Sequence, residues 1–167
     1  LAGDDARRVT VLTYHAMALR LTGTSLEVVS RSDAPIDFDA LIQNAIELLN
    51  GRSDDAFMDA DEARDLLLAG YEYIFVDEYQ DIDARQYELV SALAGRRLGD
   101  PEAQKLNIMA VGDDDQNIYA FKGASVEFIR RFQADYGGEL TYLVENFRST
   151  QHIIAAANHV IQRAEPR

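Results

Sequence analysis

Apolar positions along this chain fall into two kinds of run, and their spacing predicts strands alternating with helices. Val9-Thr10-Val11-Leu12-Thr13-Tyr14 is β-branched and aromatic, which predicts a short strand. His15 to Leu21 then reads as a helix ending near Gly23. Residues 24–35 mix Ser, Thr and Pro35 and predict a loop. Asp37 can cap a helix to about Leu49, with Leu41, Ala45, Leu48 and Leu49 on one face and Gly51 at its end. A second helix is expected over Ala56 to Ala69, preceded by Ser53, Asp54 and Asp55 and stopped by Gly70.

Beyond this helical stretch the pattern changes. Tyr73-Ile74-Phe75-Val76 is continuously apolar and meets Asp77-Glu78 at once, as a buried parallel strand does at a functional edge. Asp83 to Ala94 reads as a helix, Asn107 to Val111 as a second such strand stopped by Gly112, and Ser125 to Tyr136 as a helix before a Gly137-Gly138 turn. Thr141 to Val144 predicts a third strand, and Thr150 to Arg163 a helix capped by Ser149 or Thr150. The alternation predicts an α/β layer fold with a mostly parallel sheet flanked by helices. The helical stretch at about 36–70 is the one candidate insert.

Composition narrows the function classes. With 167 residues the chain can bury one sizeable core. It has no cysteine, so disulfides and thiolate metal sites are excluded, and a reducing cytoplasm is the expected setting. No run approaches the roughly 18 apolar residues of a membrane span. Leu1-Ala2-Gly3-Asp4-Asp5 lacks the layout of a signal peptide, and the absence of an initiator Met suggests a piece of something longer. The net charge is −13, and Lys105 and Lys122 are the only lysines, so any contact with nucleic acid must come from a local cleft.

In open parallel sheets ligands bind outside the carboxyl ends of the strands. Three predicted strands end in polar clusters: Asp77-Glu78-Tyr79-Gln80-Asp81, Gly112-Asp113-Asp114-Asp115-Gln116 and Glu145-Asn146-Phe147-Arg148. All three should share one edge. Asp77-Glu78 fits a Walker B arrangement, in which one carboxylate holds Mg2+ and the next orients the attacking water, or two solvated acids at a strand end. The three aspartates could gather a metal, but after a glycine they more often form a turn. Gln116 can sense a phosphate oxygen without adding charge. Tyr119 and Phe121 beside Lys122 suit base stacking with a phosphate contact, or are core rings. Arg148 could clamp a γ-phosphate or form a surface ion pair. His15 could touch a DNA phosphate or be structural, and His152 and His159 lack a third metal ligand.

Together these clusters resemble the UvrD/Rep group of superfamily 1 DNA helicases. Ile74-Phe75-Val76-Asp77-Glu78-Tyr79-Gln80-Asp81 looks like motif II of that group, and Val111 to Ala124, with Gly112-Asp113-Asp114-Asp115-Gln116-Asn117-Ile118-Tyr119, looks like motif III. Leu143-Val144-Glu145-Asn146-Phe147-Arg148-Ser149 resembles motif IV, and Thr13-Tyr14-His15 with Arg20 resembles motif Ib. The resemblance implies a RecA-like P-loop NTPase fold, incomplete on its N-terminal side, and a partial motor domain 1 over residues 1–167. It also implies ATP and Mg2+ as cofactors and 3′–5′ movement on single-stranded DNA toward duplex junctions. Asp77 would bind Mg2+, Glu78 would activate water, Gln116 and Arg148 would contact the γ-phosphate, and Phe147 would pack on the adenine. Tyr119, Phe121 and Lys122 would line the DNA groove, and Thr13, Tyr14 and His15 would touch the DNA backbone. Lys122, Phe147 and Asn117 stand where the group usually has Arg, Tyr and Ser, and none of these changes abolishes the implied chemistry.

No Gly-x-x-x-x-Gly-Lys-Ser/Thr occurs in the chain. The resemblance places that phosphate loop upstream of Leu1 and a second motor domain beyond Arg167, both as partners of this segment. The isolated segment is therefore expected neither to hydrolyse ATP well nor to unwind DNA, and to leave part of its sheet unpaired. Two other readings compete. One is a helicase-like binding module without ATPase activity; the other is a metal-dependent phosphohydrolase built on Asp77, Glu78, Asp81 and Asp113.

Overall fold

Helix starts follow the side chains that can cap them. In the computed structural model, which describes residues 7–23, 37–51, 60–96 and 105–163, helix α1 (Tyr14–Leu21) begins where the Thr13 hydroxyl accepts the Ala16 N–H at 3.2 Å. Helix α2 (Phe38–Leu49) begins where Asp37 accepts the N–H groups of Asp39 and Ala40 at 3.0 and 2.9 Å. The buried stripe of α2 is Ile42, Ala45, Ile46 and Leu49, rotated from the expected face, while Leu41 and Leu48 are half-buried at its flank. Both stripes satisfy helical spacing, and only the position of the neighbouring helices selects between them. Helix α3 spans Ala60–Leu67. Its expected start at Ala56, the acids before it and the loop over 24–35 lie outside the described residues.

Strands β1 (Tyr73–Val76) and β2 (Asn107–Ala110) pair in parallel, from Tyr73 opposite Asn107 to Val76 opposite Ala110. Helix α4 (Ala84–Leu93) lies between them in the chain. It starts with a full capping box, in which Asp83 accepts the Gln86 N–H and the Gln86 side chain accepts the Asp83 N–H. Helix α5 (Val126–Tyr136) follows Ser125, which accepts the Glu127 N–H, and ends at Gly137 in the left-handed conformation. Helix α6 (Gln151–Ile161) follows Thr150, whose side chain makes no capping bond. None of these helices is long and apolar enough to cross a membrane.

Two apolar clusters hold the elements together. One joins α1, α2 and α4 through Ala18, Leu21, Ile42, Ile46, Leu49, Leu89 and Leu93. The other places Val76, Tyr79, Ile82, Tyr87 and Val90 against Phe128, Ile129 and Phe132 of α5. Arg64 of α3 is buried and donates to the Ala92 and Leu93 carbonyls at 3.4 and 2.8 Å at the end of α4, where the Ala92 carbonyl also accepts the Gly95 N–H at 3.1 Å. Arg64→Ala is expected to cost about 2–3 kcal/mol, because charge-assisted bonds are lost and the Leu93 carbonyl loses its donor. A lowered urea midpoint with an unchanged slope would show this.

The sheet is one-sided. Ile74, Val76, Ile108 and Ala110 pack inward, whereas Tyr73, Phe75 and Met109 alternate with them onto a bare face, Phe75 being 72% exposed. Two expected strands do not form. Residues 9–13 take no regular structure, with Val9, Val11 and Leu12 exposed, and Tyr14 belongs to α1. Residues 141–144 likewise stay unpaired, with Tyr142, Leu143 and Val144 exposed. Both runs have strand-forming residues, but a strand exists only when a neighbour accepts its hydrogen bonds. Among the described residues neither run has one.

Candidate functional site

The carboxyl ends of β1 and β2 meet. The ladder continues past the strands, with Val111 N–H donating to the Val76 carbonyl and Tyr79 N–H to the Val111 carbonyl, both at 2.9 Å. Asp77 and Glu78 emerge exposed at this edge. Glu78 adopts φ 51° and ψ 45°, the only left-handed non-glycine residue among those described. Such a conformation is strained for a side chain with a Cβ and persists where its surroundings enforce it. It reverses the chain so that Tyr79 is fully buried against Phe132, while the acids before it stay in solvent. The Asp77 carboxylate accepts the Glu78 N–H at 3.0 Å and is exposed.

The next residue, Gln80, is 1% exposed and bonded on three sides. Its Nε2 donates to Glu78 Oε2 at 2.7 Å, its Oε1 accepts the Asp113 N–H at 3.0 Å, and its carbonyl accepts from Asn117 Nδ2 at 2.5 Å. Sequence reasoning gave Gln80 no role. The available signal was a neutral amide placed between Glu78 and Asp81. Asp81 has one carboxylate oxygen buried without a hydrogen-bond partner. Lost hydration, and then the charge of Glu78, hold its carboxyl above the usual carboxylate range.

The three aspartates form a turn. Asp113 accepts the Asp115 N–H at 3.0 Å and the Gln116 side-chain amide at 2.7 Å, and Asp114 pairs with Arg130 at 2.9 Å. Among the described residues these three are the acids close enough to share one ion. Asp77, Glu78, Asp81 and Asp113 are not gathered in that way, so the four-carboxylate arrangement is absent. The turn leads directly to Tyr119, Phe121 and Lys122, which are exposed, Phe121 at 79%. The two rings lie 6.2 Å apart, and the Lys122 ammonium sits 5.4 and 5.7 Å from their centres. This is a ready cation–aromatic platform rather than core.

Other expected site residues fall differently. Thr13 caps α1, and the His15 ring meets Phe38 edge-on at 5.0 Å. Tyr14 packs between the two apolar clusters with its hydroxyl buried. Burial, and then the charges of Asp83 and Asp77, push that hydroxyl well above the ordinary phenol range. Phe147 is 91% exposed, and Arg148 lies in a turn where Asn146 accepts the Arg148 and Ser149 N–H groups at 3.0 and 2.8 Å. No hydrogen bond or ion pair joins Arg148 to Glu78 or Gln116 among the described residues. Its expected strand is unformed, so among the described residues no strand pairing carries it to the edge. The structure thus brings together the first two clusters and not the third.

Comparison with known proteins bears on this edge. Residues 2–137 match the family profile of the UvrD/REP helicase N-terminal domain. The chain is 37% identical over 163 residues to the ATP-dependent DNA helicase UvrD1 of Mycobacterium tuberculosis (strain ATCC 25618 / H37Rv), covering 96% of this chain and 18% of that protein. It is 36% identical over 167 residues to the ATP-dependent DNA helicase PcrA of Leuconostoc citreum, covering 99% of this chain and 19% of the relative. To PcrA of Staphylococcus epidermidis (strain ATCC 12228 / FDA PCI 1200) it is 38% identical over 140 residues, 83% of this chain and 17% of the relative. The chain therefore spans about a fifth of the length of the curated relatives it matches.

Proposed function

The chain belongs to the UvrD/REP helicase family, through its N-terminal domain, and from that premise we propose that residues 1–167 are part of a RecA-like motor domain 1, with a small helical insert at about 36–70. The motor couples ATP hydrolysis to 3′–5′ movement on single-stranded DNA and opens duplex at junctions. One observation carries this reading. The strand end that bears Glu78 is bonded through Gln80 to the loop that leads to the Tyr119–Lys122 platform. A hydrolytic carboxylate and a stacking platform on one rigid edge are what coupling of turnover to strand movement requires.

Within that reading Glu78 orients and deprotonates the attacking water, and Gln116 and Arg148 recognise the terminal phosphate. Phe147 offers an exposed ring for the adenine. Asp77, an exposed carboxylate at the strand end, fits a magnesium ion, which favours oxygen ligands and when bound would neutralise phosphate charge. Thr13 and His15 face the DNA backbone, with Tyr14 as the ring that fixes them over the core. Arg148 and Phe147 reach the edge when residues 141–144 find a sheet neighbour. The phosphate loop and a second motor domain complete the site, and the isolated 167 residues are expected to turn over ATP poorly.

The decisive experiment measures ATP hydrolysis by the longest natural chain carrying this segment, with and without single-stranded DNA. DNA-stimulated turnover supports the motor. Its absence would replace the motor with a DNA-binding module that performs no hydrolysis. Separately, Phe121→Ala is expected to weaken single-stranded DNA binding by about 1–3 kcal/mol, the worth of one stacked base, with little change in KM for ATP. Fluorescence anisotropy of a labelled oligonucleotide reads the first quantity and steady-state kinetics the second.

A further inference from the structure

The buried amide of Gln80 has no place in the chemistry assigned above, yet it is the most fully bonded polar group at the edge. Its two ends face two different motifs: the donor holds Glu78 Oε2, and the acceptor holds the Asp113 backbone N–H. Its carbonyl takes Asn117, and Asp113 in turn holds the Gln116 side chain. The bonded path from Glu78 to Asn117 is therefore continuous, and Tyr119 is two residues further along the chain. Gly112 shows how closely the loop sits on this amide, since a Cβ there would lie 2.5 Å from Gln80 Oε1.

We infer that Gln80 is a positioning residue: it fixes the Glu78 carboxylate through Nε2, reads the place of the 112–122 loop through Oε1, and so transmits DNA binding at Tyr119–Lys122 to the hydrolytic acid. The inference rests on the motor reading and goes beyond it in naming the link. A carboxamide suits this task because it offers a donor and an acceptor about two bonds apart and no charge. Displacement of the loop by bound DNA moves the Asp113 N–H, and the buried amide has no freedom to absorb that motion.

The test uses the full natural chain with Gln80→Met, which keeps length and bulk but removes both bonds, and Gln80→Glu, which keeps the acceptor toward Asp113 and sets a like charge against Glu78. Turnover at saturating single-stranded DNA is expected to fall about 10- to 100-fold in both, as for other groups that orient a reactive one. KM for ATP and oligonucleotide affinity are expected to stay close to the parent's, and DNA-free turnover is expected to fall less than stimulated turnover, because Glu78 loses its partner in both states while the link to the loop matters only with DNA. Full DNA stimulation in Gln80→Met would overturn the inference. So would equal losses of stimulated and DNA-free turnover, or a melting temperature below that of the assay, since each would make Gln80 merely structural. A parent chain with no DNA-stimulated turnover is a separate result, and it defeats the motor reading itself.

Discussion

Glu78→Gln is expected to lower DNA-stimulated ATP turnover of the full natural chain by roughly 100- to 10,000-fold, the usual contribution of a positioned general base. Nucleotide and oligonucleotide affinities should change little, because the loss is confined to the transition state. The structure explains why this variant tests chemistry and not folding. Glu78 is exposed, and its backbone strain is independent of whether the side chain is an acid or an amide. Glutamine keeps an oxygen to accept from Gln80 Nε2, so the bond now at 2.7 Å can persist. Only the proton acceptor is lost. Turnover within a few-fold of the parent, measured under single-turnover conditions, would remove Glu78 from the reaction.

Gly112→Ala should produce the second large effect, and by a different route. The added Cβ would lie 2.5 Å from Gln80 Oε1, 2.9 Å from Ile129 Cδ1 and 3.2 Å from the Gln80 backbone nitrogen. The Ile129 methyl can give way, but the buried Gln80 amide is held at both ends and its backbone cannot retreat. Overpacking of this kind costs about 1–3 kcal/mol, and thermal melting should show it. DNA-stimulated turnover should fall at least as far as in Gln80→Met, because the same amide is displaced. Adding Ile129→Val removes the methyl contact, so it should recover part of the stability and none of the turnover. Recovery of both would mean that the clash acts through α5 and not through Gln80.

The candidate site was legible where its residues are contiguous. Asp77-Glu78, Gln116 and the Tyr119–Lys122 platform stand in short runs at strand ends, and the structure exposes each of them. The platform could equally have been core, and exposure of both rings decided that question. Gln80 lies within the motif II resemblance but its role is not legible there, because its partner is Asp113, a residue 33 positions away. Tyr14 was expected among the DNA contacts of its motif, yet its ring is packed between the two clusters. One residue cannot reveal from its own position which side of a helix will meet a neighbour.

Local elements whose stabilising groups lie within a few residues were legible in the chain itself: the cap at Asp37, the helix starts at Asp83 and Ser125, the stops at glycine, and the two paired strands with acids at their ends, whereas Thr13, expected in a strand, caps a helix. Short-range hydrogen bonds and apolar spacing suffice for these, since both partners sit in the same stretch of chain. Tertiary structure decided which face of α2 is buried, that the sheet keeps one bare face, and that residues 9–13 and 141–144 remain unpaired. Burial and strand pairing each need a second surface. The chain that could supply that surface is not adjacent in sequence, so no reading of one segment alone can tell whether it is there.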